Sequence, residues 1–368
     1  MMIVKDFNIH GLVRIRMETT IKSKADIAMR HFRHFEVDRA ADASIDIFIH
    51  DYCECPSLEN GTVTSETCYA DNYLNIADEK LCLNLIDAPL TVYCNRYVIP
   101  LKFLVEVVLL KRGYSLIHSA ALEYRGRNYL FPAFGGVGKT VLASAVIGDG
   151  GKLFGDDMVI VSQGCLSTFP LDFSLYPYHL HVLKIEDPKV TKSLRRIEAL
   201  NRCARLFSCM TAPLRRYDPR MDRLLSMVIR FIATRFVSVS PVTIFGSNCI
   251  AQNGPLHRVC YLSKVQSTSS QIMVETIDAE DLAERCANIM FQEWYQSMSI
   301  LYRYSGLSTF SLNGVFAQIR EVFQDTFGRV ECLHIRIPNT LDHRAYQSQL
   351  IAYLSDHASA DMPPCWAS

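Results

Sequence analysis

Apolar and polar residues alternate between positions 13 and 18, with Val13, Ile15 and Met17 set against Arg14, Arg16 and Glu18. That period of two predicts a half-buried strand. The segment 44–50 (Ser-Ile-Asp-Ile-Phe-Ile-His) suits a second strand, and 25–35 a helix between them. Short strands are expected across 71–94, broken at Asp87-Ala88-Pro89. Residues 1–95 are thus expected to form a β-rich α+β region with one helix. The most apolar run, 98–110, carries Pro100, Lys102 and Glu106 and is too short to cross a bilayer. It reads as a buried helix over 100–112, stopped by Gly113.

Beyond this point the pattern predicts a strand over 115–124, a turn at Arg125-Gly126-Arg127 and a strand over 128–133. A glycine-rich loop follows, then a short helix over 140–147 ended by Gly148, Gly150 and Gly151. Residues 152–155 lead to an acidic pair, and 158–162 with 165–169 form a hairpin around Gln163-Gly164. Helices are expected within 184–235, strands over 237–262, helices over 278–294 and 316–327, and a last strand over 332–337. The fold class is α/β. Residues 96–357 are expected to form the main domain, with a basic helical insertion near 184–235 and a flexible tail at 358–368. No repeat or low-complexity tract interrupts this order.

Composition narrows the function classes. The 368 residues are 49% hydrophobic, enough for a large core. Formal net charge is zero, so bulk charge points to neither nucleic acid nor membrane. No basic segment followed by an apolar run opens the chain, so a cytoplasmic protein without a signal peptide is expected. The 13 cysteines are scattered, odd in number and without a CxxC pair. Cys53 and Cys55 alone do not make a zinc site, and free thiols in a reducing compartment are expected. Local charge is uneven: 184–235 holds 13 Lys or Arg against 5 Asp or Glu.

The candidate chemistry lies at Ala133-Phe134-Gly135-Gly136-Val137-Gly138-Lys139-Thr140 and at Phe154-Gly155-Asp156-Asp157. Glycines let several backbone N–H groups converge on one anion, and the helix that follows adds its positive end. Lys139 can reach the β- and γ-phosphate oxygens of a nucleotide, and the Thr140 hydroxyl can sit on Mg²⁺. The strict pattern opens on glycine where this chain has Ala133. Two adjacent carboxylates repel and are costly to bury without a cation. A metal–nucleotide complex supplies that cation, so one aspartate can hold the metal while the other takes a proton from an attacking hydroxyl. Gly155, just before them, suits a close approach of backbone to ligand.

The span from His118 to Phe169 resembles the HPr kinase/phosphorylase-like P-loop kinases, whose fold is shared with phosphoenolpyruvate carboxykinase. The resemblance rests on His118, 21 residues before Lys139, on Gly138-Lys139-Thr140, and on Asp156, 17 residues after Lys139. It implies ATP and Mg²⁺ as cofactors, with Gly135, Gly136, Val137, Gly138, Lys139 and Thr140 around the nucleotide. It further implies Asp156 as general base, Thr140 and Asp157 in the metal shell, and His118 near the transferred phosphate. The glycine-rich signature that bacterial HPr kinases carry downstream is not found, so HPr itself is not the expected acceptor. The oxaloacetate-binding arginines and the manganese-ligating lysine and histidine of the carboxykinases cannot be placed.

The expected function is therefore transfer of the ATP γ-phosphate to a hydroxyl of a peptide, a protein serine or a small metabolite. Two alternatives stand: a nucleotide-binding regulatory module without catalysis, and a carboxykinase-like, carboxylate-activating enzyme. Arg195, Arg196, Arg202, Arg205, Arg215, Arg216, Arg220 and Arg223 are candidates for binding an anionic acceptor or capping phosphates, with Arg215-Arg216 on a mobile loop. The histidines of Tyr176-Pro-Tyr-His179-Leu-His181 are candidates for an acceptor pocket. Aromatic residues are sparse in the basic segment, which argues against nucleic acid. Met290 to Tyr304 reads as core. A homo-oligomer is left open.

Overall fold

The computed structural model describes residues 1–38, 44–64, 66–181, 183, 185, 187–215, 223, 227, 236–306 and 310–356. It is a mixed α/β protein with several sheets. The first 94 residues build a nine-stranded sheet. Its order is Glu36–Val37, Ile3–Ile9, Val13–Thr19, Ile47–His50, Leu90–Cys94, Leu81–Asn84, Tyr73–Ile76, Thr67–Ala70 and Thr62–Val63. The alternation at Val13, Ile15 and Met17 turns those side chains into the core, with Arg14, Arg16 and Glu18 only half-buried. Their hairpin partner, Ile3–Ile9, lay outside the sequence expectation.

Helix Lys22–Phe32 packs on this hairpin and runs into a 3₁₀ turn at Arg33–Phe35. The Lys24 ammonium inside the fold explains why it is held there. It donates to His50 O at 2.6 Å, Cys94 O at 2.8 Å and Asp51 Oδ1 at 3.2 Å. All three ammonium donors are satisfied, as burial demands.

The apolar run forms helix Leu101–Leu110, buried at every position but Lys102. Glu106 is fully buried there, and its carboxyl takes the Ser115 hydroxyl and the Leu116 N–H, each at 2.6 Å. This ties the helix to the strand that leads to His118. Burial pushes the Glu106 carboxyl up to about 8, against the lowering effect of those two bonds. A folded value above the ordinary 4.5 stabilises the fold at low pH, and that contribution is lost as pH rises through about 8. Glu106→Gln is expected to flatten this fall. Melting temperatures at pH 5 and pH 8.5 check it, and an equally steep fall in the variant would refute the assignment.

A second, six-stranded sheet has the order Lys152–Gly155, Ser119–Tyr124, Arg127–Pro132, Arg258–Val265, Glu331–Pro338 and Met273–Thr276. Arg127–Pro132, Arg258–Val265 and Glu331–Pro338 run parallel, and the other pairings are antiparallel. The expected single strand over 115–124 is two strands. Ser115–Ile117 pairs with Val159–Ser162 in a separate four-stranded sheet, whereas Ser119–Tyr124 belongs to the six-stranded one. The chain changes sheets at His118, because the hairpin 159–167 claims one half and the loop strand the other.

Helix Lys139–Gly148 lies against Ser119–Tyr124 and is flanked by helix His343–Asp356. Gln347 Nε2 donates to Val141 O at 2.5 Å, and the Tyr346 hydroxyl to Gly138 O at 3.3 Å. One hydrophobic core runs from Phe7 and Ile15 through Phe103 to Met290, Trp294, Leu301 and Phe323, so the N-terminal sheet and the later helices share it. Met290 to Tyr304 contributes to this core as expected. A second core surrounds the glycine-rich loop, with Leu122, Phe131, Val137, Leu142, Leu262 and Leu350.

Within 184–235, helix Pro188–Arg215 is described, while 216–222 and most of 224–235 lie outside the described residues, as does the tail 358–368. Strands over 237–262 are interrupted by a short helix at Pro241–Phe245. Helix Leu312–Phe327 starts earlier than expected because the Ser311 hydroxyl caps it, accepting the Gly314 N–H at 3.0 Å. Among the described residues no helix is long and apolar enough to cross a membrane.

Candidate functional site

The loop between strand Arg127–Pro132 and helix Lys139–Gly148 turns through left-handed backbone at Gly136 (φ 79°) and Gly138 (φ 109°). Glycine enters that region without strain, and a β-carbon would not. Val137 between them is buried and anchors the loop, while Gly135, Gly136 and Gly138 line a cavity. The N-cap of the helix that starts at Lys139 is Gly138, and among the described residues no side chain caps it, so its positive end is open to the cavity.

Lys139 is buried, and its ammonium donates to Ala133 O at 2.8 Å, His118 Nε2 at 2.8 Å and Phe134 O at 3.3 Å. Burial lowers its pKa, opposed by the charges of Asp156, Asp157 and Glu293. Next to it, the Thr140 hydroxyl donates to Asp156 Oδ2 at 2.6 Å. This bond joins the loop to the turn after strand Lys152–Gly155. Asp156 Oδ1 is buried and has no hydrogen-bond partner among the described residues. Burial pushes the Asp156 carboxyl up to about 6, although Thr140 and Lys139 pull it down.

Asp157 behaves differently. Desolvation works against its charge, but the Lys102 ammonium at 2.6 Å outweighs this and holds it well below the usual range. Two adjacent carboxyls are thus driven apart in acidity by their surroundings. His118 is buried beside both, its N–H backbone group on Met290 Sδ at 3.2 Å and its Nδ1 2.7 Å from Glu293 Oε1.

Gly155 serves a purpose other than the one expected. A β-carbon there would lie 2.2 Å from Met158 O and 3.1 Å from Phe169 O. The close approach is to the protein's own backbone, which lets the acidic turn fold tightly.

The cavity has a volume of about 680 Å³. Its floor is the glycine-rich loop with His118, Lys139, Thr140, Asp156 and Asp157. One wall carries Tyr176, Tyr178 and Phe236, with the two tyrosine rings stacked at 6.0 Å. The other wall is the face of helix Lys22–Phe32 bearing Ile27, Arg30 and His31. Arg30 is exposed and has no carboxylate partner among the described residues. His31 is lowered to about 4 by burial and by Lys102, so it is a neutral imidazole at pH 7.

Of the sequence-predicted site residues, His118, Gly135, Gly136, Gly138, Lys139, Thr140, Asp156 and Asp157 line one cavity, whereas Val137 turns into the core beneath the loop. Two donor sets suit a cation. Thr140, Asp156 and Asp157 form the first, and the unpartnered Asp156 oxygen gives it an open ligand atom. His118, Asp157 and Glu293 form the second, with ligand atoms within 4.8 Å of one another, a set that would need His118 Nδ1 without its proton. Lys102, Glu293, Arg30 and His31 escaped the sequence analysis. Lys102 alone had a signal, as a charge inside an apolar helix.

Other candidates fall elsewhere. The described arginines of the basic segment do not line the cavity; Arg202 pairs with Glu198 at 2.7 Å. Arg215, expected on a mobile loop, is instead the last residue of helix Pro188–Arg215, and Arg216 and Arg220 lie outside the described residues. His179 is buried, its Nδ1 accepting the Tyr176 N–H at 2.8 Å, so its neighbours Tyr176 and Tyr178 face the cavity instead. The twelve cysteines among the described residues are free.

No family model matches the chain, and no curated protein does. Among solved structures, the Hpr(Ser) kinase/phosphatase from Coxiella burnetii is similar over 66% of this chain and 98% of its own. Identity is 9% and the TM-score 0.25, a distant relationship of fold that carries no argument about the site.

On its own geometry the site can do three things. Uncovered amides and an ammonium favour an anion at the loop. Paired carboxylates with one free oxygen favour a divalent cation. A carboxyl raised to about 6 can accept a proton near neutral pH.

Proposed function

We propose that this chain is an ATP- and Mg²⁺-dependent phosphotransferase of the HPr kinase type, acting on an alcohol hydroxyl. The observation that carries the reading is the 2.6 Å bond from Thr140 to Asp156, which brings the anion-favouring loop and the acidic turn to the same cavity. The loop amides and Lys139 would hold the phosphates, and Thr140 with Asp157 would hold Mg²⁺, which neutralises phosphate charge when bound. Asp156 would take the acceptor proton, and its carboxyl at about 6 suits that task. His118 would lie beside the transferred group. We take residues 1–95 as an N-terminal unit that lends one cavity wall to an ATP-binding unit at 96–357.

One observation favours exchanging the aspartates. A threonine hydroxyl bonded to Asp156 already pairs two metal-type ligands, leaving the partly exposed Asp157 nearer the acceptor. Against this, Lys102 holds Asp157 too acidic to be a good base.

Incubation with ATP labelled in the γ-phosphate and a cell extract tests the proposal. Mg²⁺-dependent label on a hydroxyl acceptor supports it. Binding without transfer would indicate a regulatory module, and carboxylate-dependent ADP release a carboxykinase-like enzyme. Thr140→Ala is expected to raise the Mg²⁺ concentration for half-maximal turnover about tenfold. A Mg²⁺ titration with an unchanged midpoint would remove Thr140 from the metal shell.

A further inference from the structure

We propose that Glu293 is a positioning residue, acting through His118 to aim the Lys139 ammonium at the phosphate site. The inference rests on the nucleotide reading of the loop. It starts from the donor count of lysine. An ammonium has three N–H groups and no lone pair. Those of Lys139 go to Ala133 O and His118 Nε2, both at 2.8 Å, and to Phe134 O at 3.3 Å. A phosphate oxygen must displace one of them. The long contact to Phe134 O is the weakest, so the other two remain as anchors that point the third donor into the cavity.

The anchor at His118 works only in one tautomer. Nε2 must keep its lone pair to accept from an ammonium, so the ring proton belongs on Nδ1. Glu293 Oε1, 2.7 Å from Nδ1, selects the same form, because a carboxylate repels a lone pair and attracts an N–H dipole. The carboxylate sits off the N–H axis, so this is an ion–dipole contact, not an aligned hydrogen bond. Glu293 stands on helix Ala279–Trp294, whose Met290 packs on the His118 backbone. That helix therefore holds both the ring and the charge that sets its tautomer.

The test uses pyrophosphate as the probe of the loop and ¹⁵N NMR of the His118 ring, on the full chain. In the wild type His118 is expected as the neutral Nδ1–H form. Glu293→Gln should populate the other tautomer and weaken pyrophosphate about tenfold, and Glu293→Asp should recover most of the affinity. In a His118→Ala background, Glu293→Gln should cost little more, since the link it acts through is gone. Three results would overturn the proposal: an Nε2–H ring in the wild type, unchanged pyrophosphate affinity in Glu293→Gln, or an equal loss in both backgrounds. The last would mean that Glu293 does not act through His118. A wild type that binds no pyrophosphate would instead sink the nucleotide reading, while the NMR result would still report on the Glu293–His118 contact.

Discussion

Lys139→Ala is expected to cut phosphotransfer about a thousandfold or more and to weaken MgATP binding in parallel. Among the described residues its ammonium is the one cation bonded to the glycine-rich loop, and it sits where the loop carbonyls and His118 fix its direction. Preorganised charge of this kind, aimed at developing phosphate charge, is worth orders of magnitude in a dry site. The alanine variant also strands Ala133 O and Phe134 O, so loss of function could be loss of the loop itself. Lys139→Met keeps the aliphatic stem and separates the two. It should retain the melting temperature to within a few degrees and still lose activity. Turnover close to wild type in Lys139→Met would count against the assignment.

The second large effect is expected at Asp156. Asp156→Asn should lower turnover about a thousandfold if the carboxylate takes the acceptor proton. The wild-type rate should rise with pH through about 6 and level off above it, as the buried carboxyl ionises. The same burial predicts the opposite sign for stability. A folded value raised above the ordinary 3.8 favours the folded state at low pH, and that stability is lost as pH rises through about 6. Asp156→Asn keeps an acceptor for the Thr140 hydroxyl and removes the buried charge. It should therefore melt higher than the wild type at pH 8 while being nearly inactive. Differential scanning calorimetry and a pH–rate profile on the two proteins check both halves. A variant that keeps full turnover removes Asp156 as base, and one that loses turnover only at low Mg²⁺ moves it to the metal shell.

Much of the site was legible because its parts are local. Gly136 and Gly138 announce left-handed backbone, and Lys139 and Thr140 follow them directly. Asp156 and Asp157 come one short helix later, close enough in sequence for a strand–loop–helix–strand reading to place them together. The same locality misled at two points. The run 115–124 has one apolar pattern, yet two sheets divide it at His118, because pairing partners and not propensity decide where a strand ends. Gly155 is small for its own backbone neighbours at 158 and 169, a requirement visible only once the hairpin folds back.

By itself the sequence determined the glycine-rich loop, the acidic pair and the helix that joins them, since backbone conformation and adjacent charge are written into contiguous residues. Tertiary structure decided which other groups meet there. Lys102 reaches Asp157 across 55 residues, Met290 meets His118 across 172, and Arg30 and His31 arrive on a helix from the N-terminal sheet. Such contacts are selected by the packing of one shared core, and a glutamate on a helix surface carries no local mark that a histidine will stand 2.7 Å away.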